Sequence, residues 1–171
     1  STYKVITSFA AIEEKHINID NTEYCPGFLK YGNRTYRCWY KHGHGDMNII
    51  EGIAQSCDVF FYRAGIKVGV DKLAQYAMGS GLGKKTGISL ENEKKGLIPT
   101  SIWKKKRYKE QWQGGETLSV AIGQSYNLVT PLQMAVLIAA VGNGGTLFRP
   151  RIVRTIKDGY GVLVKKIEPE I

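Results

Sequence analysis

Ser1-Thr2-Tyr3-Lys4 opens the chain and runs directly into Val5-Ile6-Thr7-Ser8-Phe9-Ala10-Ala11-Ile12. Val5, Phe9 and Ile12 form one apolar stripe at helical spacing, with Ile6 and Ala10 beside it. The spacing predicts a helix over Thr2 to Lys15, with Ser1 where an N-cap belongs. Positions i and i+3 of a helix share a face, so the Ser1 hydroxyl and the Lys4 amine can meet. A serine hydroxyl is a poor nucleophile until a base takes its proton, and lysine is such a base when its surroundings favour the neutral amine. The tetrapeptide alone is weak, since S-x-x-K is expected by chance about once in a chain of this size. A helix cap followed by a surface lysine accounts for it equally well.

Outward from this stretch, the bulk properties narrow the class. The 171 residues suffice for one domain with a real core, and 43% hydrophobic against 23% charged residues marks a globular chain. No stretch approaches the ~18 apolar residues of a membrane span, and no signal peptide is visible. The opening residues read as the interior of a folded unit, so a piece of a longer protein is expected. The net charge of +9 is concentrated in Lys104-Lys105-Lys106-Arg107 with Lys109, and in Lys94-Lys95. No nucleic-acid motif accompanies it, and it reads as a solvated loop rather than a nucleic-acid surface.

Along the chain, Asn18 to Asp46 reads as loop with short extended pieces, punctuated by Pro26-Gly27 and Gly32-Asn33. Asn48 to Val68 reads as one mostly buried helix on Ile49, Ile53, Val59 and Phe60, with Gly65 and Gly69 as candidate ends. Val70 to Met78 is a short helix with Leu73, Ala74 and Ala77 inward. Lys84 to Gln113 shows little periodicity and reads as loop. Pro131 to Val141 is the most apolar helix, capped by Thr130. Arg151 to Lys157 and Val162 to Ile167 flank Asp158-Gly159-Tyr160-Gly161, a β-hairpin signal. Ser56-Cys57-Asp58, placed inside the helix that begins near Asn48, offers a second hydroxyl to relay a proton and a carboxylate to pair with a lysine. A polar face on an apolar helix explains it as well.

Taken in order, Ser1-Thr-Tyr-Lys4, Gly43-His-Gly45, Ser56-Cys-Asp58, Gly81-Leu-Gly83, Gly123-Gln124, Thr130-Pro-Leu-Gln133 and Asn143-Gly-Gly-Thr146 resemble the transpeptidase domain of class B penicillin-binding proteins, in particular the penicillin-binding protein 2 group. The likeness runs from Ser1 to about Pro150, and its joint order and spacing are specific. It implies Ser1 as nucleophile, Lys4 as base, Ser56 as proton relay and Asp58 in place of a frequent asparagine. It implies a mainly α chain with a C-terminal β-hairpin, a truncated piece of the α/β penicillin-recognising fold: a helical lobe over 1–150 and the hairpin over 151–171. It further implies acyl transfer without a catalytic cofactor. The expected partners are peptidoglycan stem peptides ending in D-Ala-D-Ala, β-lactams and other wall-synthesis proteins, at the periplasmic face of the inner membrane. A β-lactamase or β-lactam sensor of the same fold, and a non-catalytic zinc-binding or scaffolding module, remain as alternatives. An N-terminal nucleophile hydrolase finds no other support.

Two departures accompany the resemblance. The family's K-T-G motif belongs on a late strand, whereas Lys85-Thr86-Gly87 follows Gly81-Leu-Gly-Lys84 in a loop and reads as a decoy; the motif itself is expected beyond Ile171. The strands that normally precede the nucleophile are also missing. Both lead to the expectation of slower acylation than in an intact domain.

Cys25, Cys38, His44 and Cys57 follow the pattern C-x12-C-x5-H-x12-C. Three thiolates and an imidazole make a closed tetrahedral zinc site that would order the long loop. A Cys25–Cys38 disulfide with a free Cys57 is the alternative. The resemblance favours zinc, because relatives hold a metal near the second motif. His42 is an alternative ligand to His44, and His16 reads as surface.

Overall fold

A computed structural model describes residues 2–171. Ser1 lies outside the described residues, and with it its expected contact to Lys4; the first helix runs from Lys4 to Glu13 with Tyr3 in the N-cap position, shorter than the expected Thr2 to Lys15 with its cap at Ser1. The chain divides into two compact units, one running up to Ala77 and adding Ile98–Asn127, the other formed by Met78–Leu97 and Leu128–Ile171.

The first unit holds α1 (Lys4–Glu13), β1 (Glu23–Cys25), β2 (Phe28–Tyr31), β3 (Arg34–Arg37), β4 (Gly45–Met47), α2 (Ile49–Ala54), α3 (Asp58–Val68), α5 (Ser101–Tyr108) and α6 (Gly114–Ala121), with α4 (Val70–Gly79) crossing its boundary. Helix α3 packs against both α1 and α6. Between them lies a core that includes Ala10, Ala11, Phe60, Phe61, Leu118, Val120 and Ala121. β1 pairs antiparallel with β4, setting Cys25 opposite Gly45, and β2 pairs with β3 as a hairpin across Gly32-Asn33.

Helix α1 turns a different face inward from the one its apolar stripe predicts. Lys4, Ile6, Thr7, Ser8, Ala10 and Ala11 are buried, while Phe9 and Ile12 are exposed. Small residues let α1 approach its neighbours closely, and the polar groups on this face find partners. Thr7 Oγ1 donates to the Ala121 carbonyl at 2.6 Å, and Ser8 Oγ to the Lys4 carbonyl at 2.9 Å. A hydrogen-bonded polar group is tolerated inside, so periodicity alone misjudged the inward face.

The expected single helix from Asn48 to Val68 is two helices. Asn48 caps α2 in a capping box with Glu51, and the chain breaks at Gln55-Ser56-Cys57. Ser56 adopts a left-handed conformation (φ 52°), which no helix interior accommodates, and Cys57 becomes the N-cap of α3. Ser56-Cys57-Asp58 therefore sits at a junction rather than on a helical face. Gly69 ends α3 at φ 82°, but Gly65 stays within it because α6 packs there. A Cβ at Gly65 would collide with the Ala121 methyl. Gly65→Val is expected to lower stability by about 1–3 kcal/mol, the usual cost of overpacking. Denaturant melts check this, and an unchanged midpoint would contradict the close α3–α6 packing.

The stretch Lys84 to Gln113, expected to be loop, contains α5. Thr100 caps it, accepting from Trp103 N–H at 3.0 Å. The basic run hid this helix because only Lys104 turns inward. Lys104 is 3% exposed and meets Glu116 at 2.6 Å and Glu110 at 3.4 Å. The hydrogen bond to Glu116 holds the Lys104 amine above its ordinary range. Burial pushes the Glu116 carboxyl up, but hydrogen bonds from Lys104, Gln113 N–H and Tyr126 outweigh it and hold the group below its ordinary range.

In the second unit, α7 (Pro131–Gly142) begins at Thr130, whose side chain and that of Gln133 cap reciprocally. Buried Gln133 also donates to the carbonyls of Lys84 and Lys95. Leu97 and Leu128 exchange backbone hydrogen bonds. β5 (Thr155–Lys157) pairs antiparallel with β6 (Leu163–Lys166). Lys85-Thr86-Gly87 lies in irregular backbone, where Glu93 accepts from Thr86 N–H, Thr86 Oγ1 and Gly87 N–H. No described helix is long and apolar enough to cross a membrane.

Candidate active site and thiol–imidazole centre

The end of α1 and the α2–α3 junction, fifty residues apart in sequence, meet at one point. Lys4 Nζ donates to Ser56 Oγ at 2.8 Å, to the Ser56 carbonyl at 2.8 Å and to Asp58 Oδ1 at 2.7 Å. Three acceptors match the three N–H bonds of an ammonium group. The side chains of Lys4 and Asp58 are 4% and 14% exposed, so the pair is shielded from water and salt. Phe61 presents its ring 5.6 Å from the ammonium. A Ser56 hydroxyl that accepts from Lys4 keeps its own O–H to donate, the arrangement a proton relay needs. The left-handed backbone at Ser56 aims its side chain and carbonyl at Lys4 together, and such strain concentrates at functional sites. Lys4, Ser56 and Asp58 thus stand in contact; Ser1 is not among the described residues.

The second cluster abuts the first. Cys25 comes from the end of β1, Cys38 follows β3, His44 precedes β4 and Cys57 caps α3. Their ligand atoms all lie within 4.8 Å of one another. All three cysteines are free thiols, so the alternative Cys25–Cys38 disulfide is not formed. His44 Nδ1 stands 3.6 Å from both Cys25 Sγ and Cys38 Sγ. A tetrahedron with Zn–S of ~2.3 Å and Zn–N of ~2.0–2.1 Å has S···N edges of about 3.6 Å, so these donors fit such an ion. His44 Nε2 is buried with no hydrogen-bond partner among the described residues, leaving Nδ1 as the polar anchor of the ring. His42 is exposed and lies outside the cluster, as does His16. Burial, and then the neighbouring Cys25, push the Cys57 thiol up from its ordinary range; a cation at the centre would reverse that tendency.

Hydrogen bonds join the two clusters. Asp58 N–H donates to Cys38 Sγ at 3.4 Å, and Trp39 N–H to Asp58 Oδ2 at 2.9 Å. Cys57, between Ser56 and Asp58 in sequence, accepts from Phe60 N–H at 3.4 Å. Cys57 is thus the chain neighbour of both candidate catalytic groups at this junction.

The glycine segments acquire reasons that sequence alone did not supply. Gly43 (φ 80°) lets the loop carrying His44 pass against the backbone of Cys25 and Pro26, where a Cβ would lie 2.7 Å from the Pro26 carbonyl carbon. Gly123 (φ 81°) leaves room for Tyr3, whose Cβ would meet an added Cβ at 2.6 Å. Gly123 therefore seats Tyr3, the residue directly before Lys4, and Thr7 ties the same helix to Ala121. Trp39 is the neighbour that sequence reasoning missed; its position directly after Cys38 was the available signal.

The chain belongs to the penicillin-binding protein transpeptidase domain family, which matches residues 1–171. Its relatives include the peptidoglycan D,D-transpeptidase MrdA of Haemophilus influenzae, 38% identical over 159 residues that make up 92% of this chain and 24% of that protein. MrdA of Escherichia coli strain K12 is 35% identical over 175 residues, covering all of this chain and 28% of that protein. The chain spans about a quarter of the length of these curated relatives. Among solved structures, penicillin-binding protein PBP2 in complex with MreC, from Helicobacter pylori, superposes with a TM-score of 0.85 at 36% identity, over 88% of this chain and 28% of that one.

Proposed function

We propose that this chain carries the nucleophile and proton-transfer half of a serine D,D-transpeptidase active site that cross-links peptidoglycan. The observation that carries the reading is the 2.8 Å bond between Lys4 Nζ and Ser56 Oγ, with Asp58 fixing the lysine from the other side. In this reading Ser1 Oγ attacks the carbonyl between two D-alanines of a stem peptide. The Oγ–C bond forms and the C–N bond breaks; the Lys4 ammonium hands one proton through Ser56 to the departing D-alanine amine, and the amine so freed takes the Ser1 proton. An amine from a second stem then takes the acyl group and restores Ser1. A β-lactam imitates the first substrate and leaves Ser1 acylated.

The thiol–imidazole centre is assigned to a structural zinc ion held by Cys25, Cys38, His44 and Cys57; the fit of the S···N separations supports it. Zinc would supply no step of the reaction and would hold the loop that positions Asp58. The proposed setting is the periplasmic face of the bacterial inner membrane, and the proposed partners are wall-synthesis proteins such as MreC, which the H. pylori structure contains.

The test is covalent labelling. The protein in its full length, incubated with a fluorescent penicillin, is expected to carry the label on Ser1, located by peptide mass analysis. Ser1→Ala should abolish it and Ser56→Ala should slow it by roughly 10²-fold or more. Label on another residue, or undiminished label in Ser1→Ala, would falsify the assignment.

A further inference from the structure

Trp39 stands beside the catalytic groups without a role in the reading above. It is 62% exposed, yet firmly held. Its backbone N–H donates to Asp58 Oδ2, and its indole Nε1–H donates at 3.0 Å to the carbonyls of both Gln55 and Ser56. Its ring packs edge-on against His44, with centroids 5.5 Å apart, and tilts against Tyr40 at 5.7 Å. Trp39, Tyr40, His44, Ala54, Gln55 and Ser56 line an open cleft of about 580 Å³. An aromatic face that is both exposed and fixed in place is preorganised for a ligand, because little ordering entropy remains to be lost on binding. The cleft opens on Ser56, which ties its occupant to the reaction.

We propose that Trp39 and Tyr40 form the acceptor subsite: an aromatic shelf that takes the amine-bearing side chain of the second stem peptide. The inference rests on the acyl-transfer reading. That reaction requires an amine to reach the acyl carbon beside the relay serine, and the amine arrives as an ammonium on an aliphatic body. Aromatic faces attract a cation electrostatically, and the methylenes of the body pack on the same rings. The ammonium gives one proton to water. The amine nitrogen then bonds to the acyl carbon, the carbon–Oγ bond to Ser1 breaks, and the second proton reaches Ser1 Oγ by way of Ser56. Trp39 is a positioning residue in this scheme.

The indole N–H resonance of Trp39 reports on the shelf directly. It is followed by NMR during titration with a short peptide carrying a free side-chain amine, and with the same peptide acetylated on that amine. A saturable shift is expected with the first. The acetylated peptide should bind roughly 5- to 30-fold more weakly, equivalent to about 1–2 kcal/mol of cation–aromatic attraction. Trp39→Ala should weaken the first peptide to the level of the second, while Trp39→Phe, which keeps a ring, should retain part of the preference. Fluorescent-penicillin labelling of the same sample separates the two claims. An unperturbed Trp39, or equal affinity for both peptides, in a protein that acylates normally overturns the subsite and leaves the reaction standing. A selective shift without acylation supports the shelf and overturns the reaction. Failure of both overturns both. The titration of the unsubstituted chain decides even where a Trp39 variant does not fold.

Discussion

Chelation is expected to remove about one zinc ion per chain and to abolish cooperative unfolding of the first unit. The four ligands come from the end of β1, the segment after β3, the residue before β4 and the cap of α3. Between Cys25 and His44 the described sheet pairings are all two-stranded. A two-stranded ribbon is marginal in water without further support. Structural zinc in small domains contributes apparent binding free energies of ~10–16 kcal/mol, comparable to or larger than the stability of a whole domain. Loss of the ion should therefore loosen the loop and release Trp39 and Asp58 with it. Elemental analysis of protein purified without chelator, followed by thermal melts with and without a strong chelator, checks both parts. Cys57→Ser should behave like the chelated protein. An unchanged melt, or protein that folds cooperatively with no metal, would show that the four donors merely pack together.

Replacing Lys4 should cost both activity and stability, and the two losses should separate. Lys4→Met removes the ammonium that Ser56 Oγ, the Ser56 carbonyl and Asp58 share. Acylation is expected to slow by about 10²–10⁴-fold, the usual contribution of a positioned acid–base group. Stability is expected to fall by about 2–4 kcal/mol, because Asp58 is left as a largely shielded charge without its partner. Adding Asp58→Asn removes that charge while keeping an acceptor for Trp39 N–H. The double variant should recover most of the stability and none of the activity. Denaturant melts and penicillin-labelling rates on the single and double variants supply the comparison. Recovery of labelling in the double variant would show that Lys4 acts only as the counterion of Asp58. Equal stability in all variants would mean that the pair is solvated.

The helices legible in the sequence were those whose ends carry their own chemistry. Thr130-Pro131 announced α7, and the helix read from Asn48 onward found the start of α2 but not its end. Gly69 and the segment from Gly79 to Gly83 punctuated what followed α3 and α4. Helix α5 was not legible, because Lys104 hides its one inward cation within a run of outward ones, and its partner Glu116 lies on another helix. The burial of α1 was also misread. Whether Phe9 or Thr7 turns inward depends on whether a distant carbonyl, here that of Ala121, waits to accept the Thr7 hydroxyl.

For the site, the resemblance singled out Lys4, Ser56 and Asp58, and the structure brings these three into contact. The four metal-ligand candidates were legible as residue types with free pairings. Sequence by itself thus determined the chemical inventory: one amine, two candidate hydroxyls, one carboxylate, three thiols and one imidazole that matter. Only the tertiary structure decided which of them touch. The break at Ser56, the thiol–imidazole geometry and the bond from Trp39 to Asp58 each depend on groups tens of residues apart. The reason is physical. Helix caps and turns are settled by neighbours along the chain, whereas a buried charge or thiol is settled by whatever partner the fold brings to it.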